Sequence, residues 1–361
     1  MARVPLTLPA AAGTLALVGC NLLNAPAPTP PATPTPAPTT AASPTPTPGP
    51  SATPRPTKAY LFVINGGSTA LDKVDLSTGT VTKGVLTLGQ VMNQLQVDGT
   101  TGYAVSFQDN KVFKLDLAAG TKLPDITFPA NTGPQTLTPL GSGKGLVAAD
   151  YGQAAIFVDL GTGAVEASVS VGAKVGMGGT AVTGGKAYVP VYKFGAAYAI
   201  IDSAIKVVDL TTKAVTKTIA LAGDANPYAT VVAPDGKVHV PIKTGVMTID
   251  PATDATASIA IGGQVTALQF VGSDKAYGLA GYDGLVVYNP ATGAVTRNFT
   301  NRIKVGGSSG NFKIRGNFAY IPNGYGTDTV GVVDLTTEAT TSTVYKVGTA
   351  PQDVAIVDVP Q

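Results

Sequence analysis

The chain has 361 residues, enough for one large domain or two ordinary ones. Charged residues make up 13%, and 24 Lys and Arg nearly balance 22 Asp and Glu, so the clustered basic face that a nucleic-acid partner requires is not indicated. Forty-three glycines, 28 prolines, no tryptophan and a composition otherwise dominated by Val, Thr, Tyr and Ile point to an all-β domain.

The first twenty residues read as a processing signal. Arg3 supplies a short positive region, and Val4 to Val18 is apolar or small, too short to span a bilayer as a mature helix. The run ends in Leu17-Val18-Gly19-Cys20, which resembles the lipobox of bacterial lipoproteins. That resemblance implies a signal peptide over 1–19 and a lipid-modified Cys20, hence a membrane partner and an extracytoplasmic, outer-envelope or cell-surface location. An ordinary secretory signal containing a cysteine is the competing reading. Against it stand the position of Cys20 at the cleavage site, its being the sole cysteine, and the stalk that follows at once. With Cys20 consumed, the remaining chain has no disulfide.

Residues 20–57 form the lipidated cysteine and its stalk. Thirteen of the 33 residues from 25 to 57 are proline and nine are threonine. Proline fixes φ and removes backbone donors, so this stretch is expected to run extended rather than join a sheet.

From residue 58 one phrase recurs seven times: VDLSTGTV from Val74, LDLAAGTK from Leu115, VDLGTGAV from Val158, VDLTTKAV from Val208, IDPATDAT from Ile249, YNPATGAV from Tyr288 and VDLTTEAT from Val333. Its second residue falls at Asp75, Asp116, Asp159, Asp209, Asp250, Asn289 and Asp334, spaced by 41, 43, 50, 41, 39 and 45 residues. That period matches a four-stranded propeller blade. Each phrase reads as a hairpin in which the Asp bonds turn amides and a glycine supplies positive φ. A second strand precedes each phrase, with Tyr60, Tyr103, Tyr188, Tyr277 and Tyr320 in one slot and His239 in the same slot of the fifth copy. The first copy lacks an inner strand at its own N-terminus, and Pro351–Val357 supplies it. The expectation is a seven-bladed β-propeller over 58–361, made of four-stranded blades and closed by the C-terminal strand completing blade one.

The Tyr-containing second strand, the apolar-Asp phrase and the Gly-x-x-Pro lead-in resemble the YVTN family of bacterial surface propellers over about 58–360. The chain also looks like accessory components of bacterial S-layer complexes, a group in which copper superoxide dismutase activity occurs. The resemblance implies envelope or S-layer protein partners and raises copper as a cofactor.

In a propeller, the inner-strand starts and the loops between second and third strands share one face around the channel, and loops on a rigid scaffold carry binding residues. Here that face is expected to present Gln94, Asp109, Gln135, Asp150, Tyr151, Lys193, Tyr228, Tyr282, Asp283, Asn311, Asn323, Tyr325 and Gln352. The longest repeat inserts Tyr192–Tyr198 in blade four, suited to a partner or to capping the channel. Carboxylates from several blades offer oxygen ligands for a divalent ion such as calcium. His239 is read as packing plus one hydrogen bond, with copper bound by His239 and Met247 as the alternative, since imidazole and thioether are both good copper ligands. Two function readings result. One is a cell-envelope lipoprotein that displays a binding or scaffolding propeller. The other is a copper-dependent superoxide dismutase, with a lactonase-like hydrolase behind it.

Overall fold

The computed structural model describes residues 56–307, 310–324 and 327–361. Cys20, the signal segment and nearly all of the stalk lie outside the described residues, as does Tyr325. The described chain forms seven antiparallel sheets in sequence order, with no α-helix and one three-residue 3-10 turn at Ala196–Tyr198.

Blade one consists of Thr57–Asn65, Ala70–Asp75, Val81–Thr87 and, as its inner strand, Pro351–Pro360. The closing pair runs from Thr57 opposite Pro360 to Asn65 opposite Pro351. The C-terminal strand therefore completes the first blade, as the missing inner element of the first repeat requires. Val354, Ala355 and Val357 are buried there against blades seven and two.

Three blades depart from four unbroken strands. The outer strands of blades two and six are split, into Thr121–Lys122 with Ile126–Thr127 and Val295–Arg297 with Ile303–Lys304. In blade four the inner strand is split, into Lys174–Val175 and Ala181–Thr183. The interruption follows from Gly176, where a Cβ would sit 2.5 Å from the Tyr228 carbonyl oxygen and 2.8 Å from that of Pro227. Only glycine lets the two backbones approach so closely. In blade five the inner strand shrinks to Val231–Val232, and Pro227–Thr230 runs beside Gly178 and Gly179 instead, through Gly178 N–H to Tyr228 O and Thr230 N–H to Gly179 O.

The repeated phrase folds as its composition dictates. Six of the seven Asp or Asn side chains accept the N–H two residues on, from Ser77, Ala118, Thr211, Ala252, Ala291 and Thr336, and Asp159 accepts that of Thr162, three on. Spread around the ring at seven turns, they are structural.

Register corrects one alignment. Tyr103 opposes Lys114, Tyr188 opposes Val207, His239 opposes Thr248, Tyr277 opposes Val287 and Tyr320 opposes Val332, each two residues before the phrase Asp or Asn. In blade one that partner is Lys73, and the residue facing it is Phe62; Tyr60 opposes Asp75 and lies one pleat lower. Pairing alternates strictly by two, so the apolar Leu61-Phe62-Val63 run, buried throughout, sets the level.

Candidate functional site

The inner strands are stitched to one another by side chains. Asp353 Oδ2 of blade one accepts the Leu95 N–H of blade two at 2.9 Å, and Gln94 Oε1 of blade two accepts the Leu137 N–H of blade three at 2.7 Å. Thr230 Oγ1 of blade five accepts the Ala181 N–H of blade four at 2.7 Å, while Asn93 Nδ2 donates to Gln135 Oε1. Innermost strands have one ladder edge without a strand partner, and these oxygens satisfy some of its donors. Gln94 and Gln135, expected to meet a ligand, are buried and engaged in this stitching.

Asp353 was not singled out in the sequence because it sits inside a strand rather than in a loop. Burial raises its pKa to about 6, against the opposing pull of Lys313 and of the Leu95 and Val354 N–H groups. The central channel beside it narrows at the loop-face end to about 10 Å³ between Asn93, Tyr228, Asn311 and Gln352. Below the neck it widens to about 180 Å³ beside Gln96, Gln269 and Lys313.

The loop-face carboxylates do not converge. Asp109 accepts Ser106 Oγ and the Gln90 N–H, both at 2.8 Å. Asp150 pairs with Lys174 at 2.8 Å. Asp283 is held by Arg302 and Lys304 at 2.7 and 2.9 Å, and Lys304 and Arg302 lower its pKa. Among the described residues no three His, Cys, Asp or Glu side chains are grouped to hold an ion.

His239 and Met247 also stay apart. His239 opposes Thr248, whereas Met247 opposes Val240 one residue out of step, so their side chains project from opposite faces of the sheet. Met247 packs into the blade four–five interface with Tyr188 and Val207. His239 is fully buried toward blade six, with Nδ1 2.9 Å from the Tyr288 hydroxyl and its ring edge-on to Phe270. Burial lowers its pKa to about 4. The pair does not form a shared copper site in this arrangement.

What the loop face does gather is exposed apolar surface. Among the described residues nine large hydrophobic side chains are exposed, and six of them, Val91, Tyr151, Phe194, Tyr198, Ile201 and Tyr282, lie in connections or at strand ends on this face. Tyr151 packs on Phe107 at 4.7 Å, with Lys174 over its ring at 5.0 Å. In blade four, Lys186–Phe194 and Ile200–Asp209 outreach the second and third strands of blades two, three, five, six and seven. Their tip carries Tyr192, Phe194 and Tyr198 in successive edge contacts of 5.2 and 5.8 Å. Tyr198 is 83% exposed, and both it and Ala197 hold positive φ. Lys193 pairs with Asp202 at 3.0 Å across the same hairpin.

No family model matches the sequence, and no curated protein does. Solved structures do resemble it. The chain is similar to AztD of Citrobacter koseri, with 14% identity over 84% of this chain and 98% of that one and a TM-score of 0.59. It is similar to a Lactobacillus plantarum protein, with 16% identity, coverage of 83% and 99%, and a TM-score of 0.63. A Bacteroides fragilis protein provisionally named a 6-phosphogluconolactonase shares 17% identity over 86% of this chain and all of that one, with a TM-score of 0.62. At these identities the likeness shows a fold, and that fold is the β-propeller.

Proposed function

We propose that this protein is a cell-envelope lipoprotein of YVTN type that displays its propeller as a binding or scaffolding module at the bacterial surface. The observation that carries the reading is the clustering of exposed aromatic and aliphatic side chains on the loop face, crowned by the blade-four hairpin. Aromatic side chains are the usual anchors of protein interfaces, because they bury much area at low entropic cost. The lipobox-like Cys20 and the Pro/Thr stretch that follows it support a lipid anchor, with envelope or S-layer proteins as the partners of the loop face. The structural carboxylates, the stitched channel and the separation of His239 from Met247 leave binding as the reading with a surface to act through.

The test is co-sedimentation of the full-length protein with envelope sheets stripped of their peripheral proteins. A Tyr151→Ser, Tyr198→Ser double variant with unchanged melting should stay in the supernatant while the wild type pellets. Equal partitioning of the two would refute the assignment of the binding face.

A further inference from the structure

The residue three before the phrase Asp or Asn projects into the gap between its blade and the preceding one. In chain order that position holds Asp72, Phe113, Ile156, Lys206, Met247, Val286 and Gly331. Only blade seven has no side chain there. A cavity of about 320 Å³ opens beside Gly331, walled by Val305, Ile321, Val333 and Val344.

Blade one shows what that space is shaped to hold. There the Asp72 carboxylate is fully buried and accepts three N–H groups: Asn65 Nδ2 at 3.0 Å, Gly84 N at 2.8 Å and Gly348 N at 2.6 Å. Blade seven repeats two parts of this frame without the carboxylate, while Thr343, at the level of Gly84, gives its N–H to Thr341 Oγ1 instead. Asn323 stands at the level of Asn65, and asparagine occurs at that level in these two blades alone. Gly306 stands at the level of Gly348, one residue after Val305, whose N–H bonds Asp283 O as the Val347 N–H bonds Asp328 O. A Cβ built on Gly348 would lie 2.8 Å from Asn65 Nδ2, and one built on Gly306 would lie 3.0 Å from Asn323 Nδ2. A Cβ on Gly331 would also lie 3.0 Å from Asn323 Nδ2, so the amide edges the vacated space. Asn323 is 6% exposed, and its Nδ2 donates one hydrogen to Thr329 Oγ1 at 3.2 Å, as Asn65 Nδ2 donates one to Ala70 O at 3.1 Å, so its other hydrogen corresponds to the one that Asn65 gives Asp72.

We propose that this cavity is a binding site for a small carboxylate with an apolar tail. The ligand's carboxylate takes the place of the Asp72 carboxylate, against Asn323 Nδ2 and the backbone of Gly306. Its tail fills the space between Val305, Ile321, Val333 and Val344. Cavities of this size with apolar walls and one or two placed polar groups are typical of small-molecule sites, and hydrogen bonds to a charged acceptor give the selectivity.

Titration of the full-length protein with hexanoate and with hexan-1-ol, followed by NMR shifts of Gly306, Asn323 and Gly331, tests the site. Hexanoate should shift these signals at a concentration roughly tenfold or more below that needed for the alcohol. Gly331→Asp, which rebuilds the blade-one arrangement, should abolish hexanoate binding and melt no lower than the wild type. If that variant misfolds, Asp72→Gly provides the reciprocal test. It should melt lower than the wild type, and acetate should restore its midpoint where acetamide does not. No shifts with hexanoate, equal affinity for the alcohol, hexanoate binding that survives in folded Gly331→Asp, or acetate without effect on Asp72→Gly would each overturn the proposal.

Discussion

His239 Nδ1 lies 2.9 Å from the Tyr288 hydroxyl, and the two rings stack at 13° with centroids 5.9 Å apart. Each residue breaks the repeat at its own position. The other blades place Phe62, Tyr103, Leu146, Tyr188, Tyr277 or Tyr320 where His239 stands, and Val, Leu or Ile where Tyr288 opens its phrase. The two exceptions meet across the blade five–six interface, so the one histidine of the chain is a packing residue with a dedicated partner.

Removing one member should therefore cost more than removing both. Tyr288→Phe leaves Nδ1 as unpartnered as Nε2 already is, and should destabilise the protein by about 1–3 kcal/mol in urea unfolding. The His239→Phe, Tyr288→Phe double variant should recover part of that loss. A double variant less stable than the sum of the singles would contradict the pairing.

Stability between pH 4 and 6.5 should depend on two buried groups that act in opposite senses. The His239 pKa falls from 6.5 to about 4 on folding, so the unfolded chain binds its proton first and stability declines as pH drops through that window. The Asp353 pKa rises from 3.8 to about 6, so stability declines as pH climbs from 4 to 6. Each effect is about 3 kcal/mol at most, and in the wild type they largely cancel. Asp353→Asn should unmask a stability that rises with pH, and His239→Phe one that falls. Unfolding curves at half-unit pH steps would show the two slopes, and slopes of equal sign would refute the assignment.

Three blades strain the turn of the phrase. Its sixth residue holds positive φ in every copy; four copies use glycine there, but Lys213, Asp254 and Glu338 sit at φ of 51°, 60° and 51°. Asp254 gains only a surface pair with Lys217, and its Oδ1 is buried without a partner. Asp254→Gly should raise unfolding stability by about 1 kcal/mol, since the left-handed cost exceeds the value of an exposed ion pair. A lower midpoint would show that the pair matters more than the backbone.

Deleting residues 351–361 should open the ring. The deletion removes the inner strand of blade one, the buried Val354, Ala355 and Val357, and the Asp353 link to Leu95. It leaves the inner edge of Thr57–Asn65 bare, and exposed edges pair between molecules. The truncated chain should lose its single cooperative transition and aggregate on size-exclusion chromatography. A monomer with an unchanged transition would show that the closing strand is dispensable.

The blade count, the turn chemistry and the strand that closes the ring were legible in the residues, because they are local or periodic. An Asp followed by small turn residues states its own hydrogen bonds, and a missing first strand with a spare last one states the closure. The candidate site was less legible. Gln94 and Gln135 were expected to face a ligand, yet they serve the neighbouring blades, and Asp353 was passed over beside Gln352. Which inner-strand oxygen meets which N–H depends on the stagger between blades, and no spacing within one repeat contains that stagger.

Sequence alone determined that like sheets would follow one another and close, since hydrophobic period and turn residues act within about forty positions of each other. Tertiary structure alone decided that His239 and Met247 face away from each other, that exposed aromatics gather on one face, and that Gly331 leaves space before Asn323. The pleat sends adjacent residues to opposite interfaces, and only the packing of one blade on the next shows whether a missing side chain leaves a gap that nothing else fills.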